Sequence, residues 1–152
     1  MLNQEWKRLK SGTDIRGVAV ETPESKITLT DDVVARIACG FAKWLSEKKN
    51  KPVTELSISI GHDSRISADR IREAAANALD AMGVIVYDCM LSSTPAMFMT
   101  TIELRCDGAI EITASHHPFD RNGLKFFTRD GGLDSDDLSK IYTSVQAFYK
   151  FQ

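Results

Sequence analysis

Apolar residues recur along the chain at two spacings, one near two residues and one near 3.6 residues. In the segment 56–61 (LSISIG), every second residue is Leu or Ile, which is typical of a half-buried β-strand. Other short runs are rich in β-branched or apolar residues and are bounded by turn residues. The remaining segments predicted to be strands or extended are 15–20, 26–29, 84–89, 109–113 and 124–128.

Helical spacing dominates the segments between these strands. Thr30 is a favourable N-cap, and a stripe of apolar residues from Val33 to Leu45 predicts a helix that ends near Lys49. Three further helices are predicted at 68–82, at 95–104 and at about 135–149. We expect Ser67 to cap the first of these and Thr94 to cap the second, with Pro95 at the first helical position.

Strands that alternate with helices predict an α/β fold, here a three-layer α/β/α domain that includes residues 1–152 as one unit. The connection between 109–113 and 122–128 is too short for a helical crossover, so these strands should pair antiparallel in a mixed, mostly parallel sheet. Ligands in such sheets bind at the carboxyl ends of strands. The loops that follow Ile60, Asp88 and Thr113 are therefore the candidate binding loops.

Composition excludes several classes of function. With a formal net charge of −2, the chain lacks the basic surface of a general nucleic-acid binder. It has no apolar run of membrane-spanning length and no secretory signal, so no membrane partner is expected. Its three cysteines are widely spaced and form no CxxC pair, which favours a reducing cytoplasm over a disulfide framework.

Chemistry is concentrated in the segment 111–127 (EITASHHPFDRNGLKFF). Ser115, at a strand end, could be a nucleophile if another group activates it, but no GxSxG motif is present. Alternatively, Ser115 and Asn122 only satisfy backbone groups of the loop. His116 suits general acid–base chemistry, because histidine titrates near neutral pH, whereas a zinc site lacks further ligands. Glu111, inside an apolar strand, faces either a partner group or solvent at a sheet edge.

Loop cations and glycines favour a phosphate ligand. Arginine and lysine make charge-assisted hydrogen bonds to anions, and glycine allows backbone amides to approach them. A nucleotide is not indicated, because neither a Walker A motif nor GxGxxG is present. The residues concerned are Arg16, Arg65, Arg121, Lys125 and Arg129, with Gly12, Gly17, Gly61 and Gly123.

Three motifs in order, SGTDIRG (11–17), GHDSR (61–65) and TASHHPFDRNGLK (113–125), resemble the N-terminal domain of the α-D-phosphohexomutase superfamily, which includes phosphomannomutases and phosphoglucomutases. The resemblance covers nearly the whole chain. One position departs from it: the family's serine loop usually has the pattern T-A-S-H-N-P, and His117 stands at the place of the asparagine.

The resemblance implies a role for each matching residue. Ser115 would carry a phosphoryl group whose phosphate contacts Mg²⁺, with His116 and Lys125 as acid–base and electrostatic residues and Arg16 reaching towards the phosphoserine. The substrate would be a hexose phosphate, and a hexose 1,6-bisphosphate would be the intermediate and activator. The implied supporting residues are Gly61, Asp63, Arg65, Asn122 and Gly123.

The motifs of the family's second, third and fourth domains, which supply the remaining metal ligands and read the sugar, do not occur in this sequence. We therefore expect a fragment of a longer mutase that has no turnover by itself, with Phe148 and Phe151 packed on a following domain. The alternative is a stand-alone phosphosugar-binding or interaction module. The identity of the hexose and the oligomeric state stay open.

Overall fold

Seven strands form one sheet in the computed structural model, which describes residues 4–149. The strands are β1 (Lys10–Ser11), β2 (Asp14–Val18), β3 (Ser57–His62), β4 (Ile85–Leu91), β5 (Gly108–Ile112), β6 (Arg121–Thr128) and β7 (Gly131–Gly132). The helices are α1 (Gln4–Leu9), α2 (Asp31–Lys49), α3 (Ala68–Ala81), α4 (Thr94–Glu103) and α5 (Ser135–Tyr149), with a short 3-10 helix at Val53–Glu55.

The strand order is β1-β2-β6-β5-β3-β4, and β7 pairs with β6. The predicted mixed sheet is confirmed, as is the antiparallel pairing of β5 with β6, in which Ala109 faces Phe127. Strands β5, β3 and β4 are parallel neighbours. In the described part of the chain β1 and β6 run against the other five strands, so most strands share one direction while antiparallel pairings outnumber parallel ones.

Helices cover both faces of the sheet, which confirms the three-layer prediction. On one face, α2, α3 and α5 bury a large core that includes Ile58, Ile110 and Phe126. On the other face, α4 covers a smaller cluster built around Met97 and Phe127. The helices are held because their apolar stripes are removed from water, which contributes most of the favourable free energy of folding.

Helix caps agree with the sequence in one case and differ in two. Thr30 accepts a hydrogen bond from the amide of Val33, as expected of an N-cap. Ser93 rather than Thr94 caps α4, accepting from the amide of Ala96. Ser67 makes no capping hydrogen bond; its hydroxyl accepts one from the Asn122 side chain instead.

Several short elements were not predicted. The segments β1, β7 and α1 are too short to show a periodic pattern, and they form because neighbouring strands offer hydrogen-bond partners or apolar surface. The segment 26–29, predicted as a strand or an extended segment, is not a strand: it is irregular, and the amides of Thr28 and Leu29 both donate to the carbonyl of Val18. Among residues 4–149 no helix combines the length and hydropathy needed to cross a membrane. Side chains from residue 146 onward, which include Phe148 and Phe151, lie outside the described part.

Candidate active site

The loop 113–120, called the serine loop below, follows β5 at the carboxyl ends of the parallel strands. The loop after β3 lies next to it, since the amide of Asp63 donates to the carbonyl of Ile112 over 3.0 Å. Two of the three loops predicted to gather ligands are therefore neighbours in space. The loop after β4 joins them through the amide of Ser92, which donates to the carbonyl of His62 over 3.0 Å.

Ser115 is exposed and has a left-handed backbone with a φ of 55°. Few non-glycine residues take this conformation, so the surrounding loop must hold it. The amide of Ser115 donates to Thr113 Oγ1 over 3.0 Å, and the amide of His117 closes a turn on the carbonyl of Ala114 over 3.0 Å. These bonds leave the Ser115 hydroxyl on the surface, 3.3 Å from Nδ1 of His116.

Arg65 binds the serine loop through its backbone. One guanidinium nitrogen donates to the carbonyls of Ser115 and His117 over 2.9 and 2.7 Å. A second donates to the carbonyls of Pro118 and Arg121 over 2.6 and 3.1 Å. The planar guanidinium holds several donors in a fixed fork. Because all of its acceptors here are backbone carbonyls, Arg65 fixes the backbone path of the serine loop and leaves the side chains of the loop free of its hydrogen bonds.

Asp63 connects Arg65 with the base of the loop. Its carboxylate accepts from the hydroxyl of Thr113 over 2.9 Å and from the amide of Arg65 over 3.1 Å, and it lies 3.4 Å from the Arg65 guanidinium. Thr113 in turn receives the amide of Ser115. A continuous set of hydrogen bonds therefore extends from the loop after β3 to the candidate nucleophile.

Arg16 and Lys125 share one carboxylate. A guanidinium nitrogen of Arg16 lies 3.0 Å from Oδ2 of Asp14, and Nζ of Lys125 lies 3.6 Å from Oδ1 of the same group. Both cations lie on adjacent strands, β2 and β6. The sequence did not single out Asp14, although its position two residues before Arg16 on a strand places both side chains on one face.

Asn122 and Gly123 allow β6 to approach its neighbours closely. Asn122 is fully buried; it donates to the hydroxyl of Ser67 over 2.8 Å and accepts from the amide of Gly123 over 2.9 Å. A Cβ on Gly123 would collide with the carbonyl of Ile15 and lie 3.0 Å from that of Thr113. Gly61 is crowded in the same way by the Met97 side chain.

The two adjacent histidines stack on each other, with ring centroids 5.2 Å apart and planes inclined by 21°. Desolvation and the nearby charges of Arg16, His116, Arg121 and Arg65 lower the pKa of His117. The neutral form of that ring is therefore favoured at physiological pH. The sequence indicated no role for His117, which departs from the family pattern. In the structure its ring stacks on the ring of His116.

Not every predicted cation belongs to this site. Arg121 begins β6 and Arg129 follows its end, so they are separated by about eight residues, roughly 25 Å of strand. The inclusion of Arg129 in one phosphate-binding group is wrong for this reason. In the described residues no group of three or more His, Cys, Asp or Glu side chains could hold a metal ion. The carboxylates of Asp14 and Asp63 are already bonded within the chain.

Glu111 is buried on β5, with a side chain that is 1% exposed. Because β5 lies between β3 and β6, the expectation of solvent at a sheet edge is wrong. Burial, together with the charge of Asp63, raises the pKa of Glu111 to about 8. Within residues 4–149, its Oε2 atom has no hydrogen-bond partner.

Comparison with known proteins gives a family match over nearly the whole chain. Residues 7–150 match the family model described as phosphoglucomutase/phosphomannomutase, alpha/beta/alpha domain I. A phosphoglucosamine mutase of Wolinella succinogenes is 39% identical over 137 residues, which are 90% of this chain and 28% of the relative. A phosphoglucosamine mutase of Leuconostoc citreum is 35% identical over 84% of this chain and 27% of its own length.

A solved structure gives the same result. A phosphoglucomutase/phosphomannomutase family protein from Burkholderia thailandensis superposes with a TM-score of 0.77 and 25% sequence identity. The match covers 98% of this chain and 31% of that protein. The chain thus spans between a quarter and a third of the length of these relatives.

Proposed function

The chain belongs to the phosphoglucomutase/phosphomannomutase family, as its α/β/α domain I, and from this premise we propose that it carries the phosphoserine of a hexose phosphate mutase. Ser115 would hold the phosphoryl group, and the parent enzyme would interconvert hexose 1-phosphates and hexose 6-phosphates. The observation that supports this most directly is the loop itself, in which Arg65 and Asp63 hold an exposed serine hydroxyl beside His116.

The proposed reaction transfers a phosphoryl group twice. In the first transfer the bond between phosphorus and Ser115 Oγ breaks and a bond to a sugar hydroxyl forms, giving a hexose 1,6-bisphosphate. The sugar hydroxyl loses its proton to a base and Oγ regains one. His116 Nδ1, 3.3 Å from Oγ, is suited to hold that proton. After the sugar reorients, its other phosphate returns to the serine.

Cations of the site would stabilise the charge that moves during transfer. Phosphoryl transfer depends mainly on positioning and on neutralising charge on the phosphate oxygens. Arg16 and Lys125 would supply positive charge from β2 and β6. Arg65 would hold the loop through its carbonyls, and Asp63 and Gly123 would hold Thr113 at its base. Gly61 and Asn122 would support the adjoining strands.

Mg²⁺ would bind to a phosphate oxygen on Ser115 and supply further charge neutralisation. The donor chemistry fits, because Mg²⁺ prefers oxygen ligands and commonly binds through a phosphate. The nearby carboxylates of Asp14 and Asp63 are engaged with cations and hydroxyls. We therefore propose that the other ligands come from further domains of a longer parent, in which residues 1–152 form one domain that works in a cytoplasmic setting.

The substrate proposal is a hexose phosphate. Because the relatives named above are phosphoglucosamine mutases, glucosamine phosphate is the first sugar to test, beside glucose and mannose phosphates. No nucleic-acid or membrane partner is proposed.

Replacement of Ser115 by Ala in the full-length parent tests the proposal. We expect the phosphorylated species to disappear from the intact-mass spectrum and mutase activity to fall by several orders of magnitude, since the group-carrying oxygen is lost. Ser139→Ala, on α5, is the matched control and should keep both. A phosphate adduct that persists in Ser115→Ala would remove Ser115 from this role. Phosphosugar binding without turnover by the unaltered parent would favour the binding-module alternative.

A further inference from the structure

Three ionisable residues lie in a row across neighbouring strands on one face of the sheet. Lys125 on β6 is the register partner of Glu111 on β5. Asp14 on β2 is one residue beyond the pair Ile15 and Leu124, so it lies beside Lys125 on the other side. Directly paired residues have Cβ atoms about 5 Å apart, well within the reach of a lysine side chain. Lys125 therefore has a carboxyl group on each side.

Only one of these carboxyl groups forms an ion pair with the lysine, and that contact is not a hydrogen bond, since Asp14 Oδ1 has no hydrogen-bond partner in the described chain. The ammonium group of Lys125 is 3.6 Å from Asp14 and lies 5.9 Å from the ring centroid of Phe127. Glu111 Oε2 has no hydrogen-bond partner in the described chain. A buried carboxylate would normally be paired with a cation, and Lys125 is the cation placed to do it.

Asp14 can lose its contact with Lys125 and still be paired with a cation, because Arg16 lies 3.0 Å from its other oxygen. The side chain of Lys125 is 33% exposed, so its ammonium group has room to move. Two arrangements of the same lysine are thus available, one on Asp14 and one on Glu111.

The described groups that lie against Glu111 from β3, β4 and α4 are acidic, thiol or apolar groups. From β3, Gly61 offers no side chain, and Asp63 beyond it adds negative charge. From β4, Cys89 lies near Glu111, and the pKa of its thiol is raised by burial first and then by the charges of Asp88 and Glu111. From α4, Met97 packs against Gly61, and the one ionisable residue of that helix, Glu103, lies at its opposite end. In the present arrangement the protonation state of the Glu111 carboxyl thus depends first on burial and then on Asp63.

We propose that Glu111 is a positioning residue for Lys125: the presence or absence of a proton on its carboxyl decides whether the ammonium group bonds Asp14 or Glu111. With the proton bound, the lysine stays with Asp14 and Arg16. Once the proton leaves, the carboxylate attracts the ammonium group towards β5 and away from Arg16. The relevance to phosphoryl transfer rests on the proposed function, whereas the exchange of partners does not.

NMR of the 152-residue chain tests the exchange directly. With labelled Glu and Lys, the Glu111 carboxyl should titrate near pH 8, as its raised pKa requires. The Lys125 side-chain resonances should shift with the same midpoint. Glu111→Gln should abolish that shift in Lys125, and Glu73→Gln, at an exposed position of α3, should leave it.

Asp14→Asn provides a second arm with the opposite sign. Without its present partner, Lys125 should bond Glu111 and lower the pKa of Glu111 by about 1 to 3 units. This variant also tests the exchange of partners if Glu111→Gln does not fold. Lys125 resonances that ignore the Glu111 titration, or a Glu111 midpoint unchanged in Asp14→Asn, would overturn the proposal.

Activity of the full-length parent shows whether the exchange matters for catalysis. We expect kcat/KM to decline above the Glu111 midpoint, and Glu111→Gln to remove that decline while keeping at least half of the activity near neutral pH. A decline that persists in Glu111→Gln would overturn the positioning role in catalysis. A parent without mutase activity would overturn the proposed function alone, since the NMR arms do not depend on turnover.

Discussion

At the scale of single residues, the site depends on side chains whose environment changes their chemistry. Glu111 retains its proton near neutral pH because a buried carboxylate loses its hydration and faces Asp63. The pKa of His117 is lowered instead, since desolvation and nearby cations disfavour its charged form. Part of each effect comes from residues that are distant in sequence, Asp63 for Glu111 and Arg16 for His117.

Glu111 makes stability depend on pH in a defined direction. Its pKa is about 8 in the folded chain and near 4.5 as a free side chain, so the folded state binds the proton more tightly. The free energy of unfolding should therefore fall as pH rises between these values, by up to about 5 kcal/mol at about 1.4 kcal/mol per pKa unit. Urea unfolding of the 152-residue chain at pH 6 and pH 9 measures the part of this fall that lies above pH 6, about 3 kcal/mol.

Glu111→Gln should remove most of this fall, because glutamine does not ionise. The variant should gain stability relative to the unaltered chain at pH 9 and much less at pH 6. Glu73→Gln, exposed on α3, is the control and should show the same pH dependence as the unaltered chain. Equal pH dependence in the unaltered chain and Glu111→Gln would show that Glu111 does not titrate in this range.

At the scale of elements, the serine loop is a short irregular segment that residues outside the loop hold in place. Few of its backbone groups bond within the loop, whereas Arg65 binds four carbonyls in or beside it. Arg65 itself is fixed by Asp63. The loop after β3 therefore determines where the loop after β5 places its serine.

Arg65→Lys should loosen the serine loop without unfolding the sheet. A lysine has one ammonium group and cannot reproduce a planar fork with several donors. Hydrogen bonds from a charged group contribute roughly 1.5 to 3 kcal/mol each, so amide exchange in 115–121 should become at least about tenfold faster. Hydrogen exchange read by NMR measures this, with β3 as internal reference.

Arg72→Lys is the matched control for that experiment, because Arg72 lies on α3 and pairs with Asp88 rather than with the loop. Exchange in 115–121 should be unchanged in this variant. Equal protection of the loop in Arg65→Lys and in the unaltered chain would show that the backbone bonds of Arg65 are dispensable.

Long periodic elements could be predicted from sequence, and short or contact-dependent ones could not. The apolar stripe of α2 reports burial directly, so its position followed from the sequence. The alternation in β3 located a strand, but the expectation of a half-buried strand is wrong, because Ser59 and Gly61 between the apolar residues are buried too. Ser67 has the sequence context of an N-cap, but its hydroxyl accepts a hydrogen bond from Asn122, which is 55 residues away in the sequence. The site shows the same division: the motifs identified Ser115 and Arg65, whereas the contact of Arg65 with the loop backbone depends on strand order.

At the scale of the whole molecule, the proposed function makes the described domain one part of a larger enzyme. The chain spans between a quarter and a third of the length of its relatives. Apolar side chains remain exposed on β4 and α4, among them Ile85, Leu91 and Ile102. The exposed serine hydroxyl and its cations are in place, while contacts to a sugar and further metal ligands would come from other domains.

The 152-residue chain alone should therefore not interconvert hexose phosphates. A phosphoserine without the groups that bind and reorient the sugar cannot complete both transfers. ³¹P NMR of hexose 1-phosphate incubated with the purified chain, Mg²⁺ and a catalytic amount of the bisphosphate provides the measurement. Sustained formation of the 6-phosphate, absent in Ser115→Ala prepared in parallel, would contradict the expectation.

The left-handed backbone of Ser115 restricts which amino acid can present a hydroxyl at this point. Threonine would add a methyl group at Cβ, and β-branched residues are genuine outliers at positive φ. A threonine here would push the chain out of this conformation and withdraw its carbonyl from Arg65. The backbone conformation at this position therefore favours serine over threonine, independently of the phosphoryl chemistry.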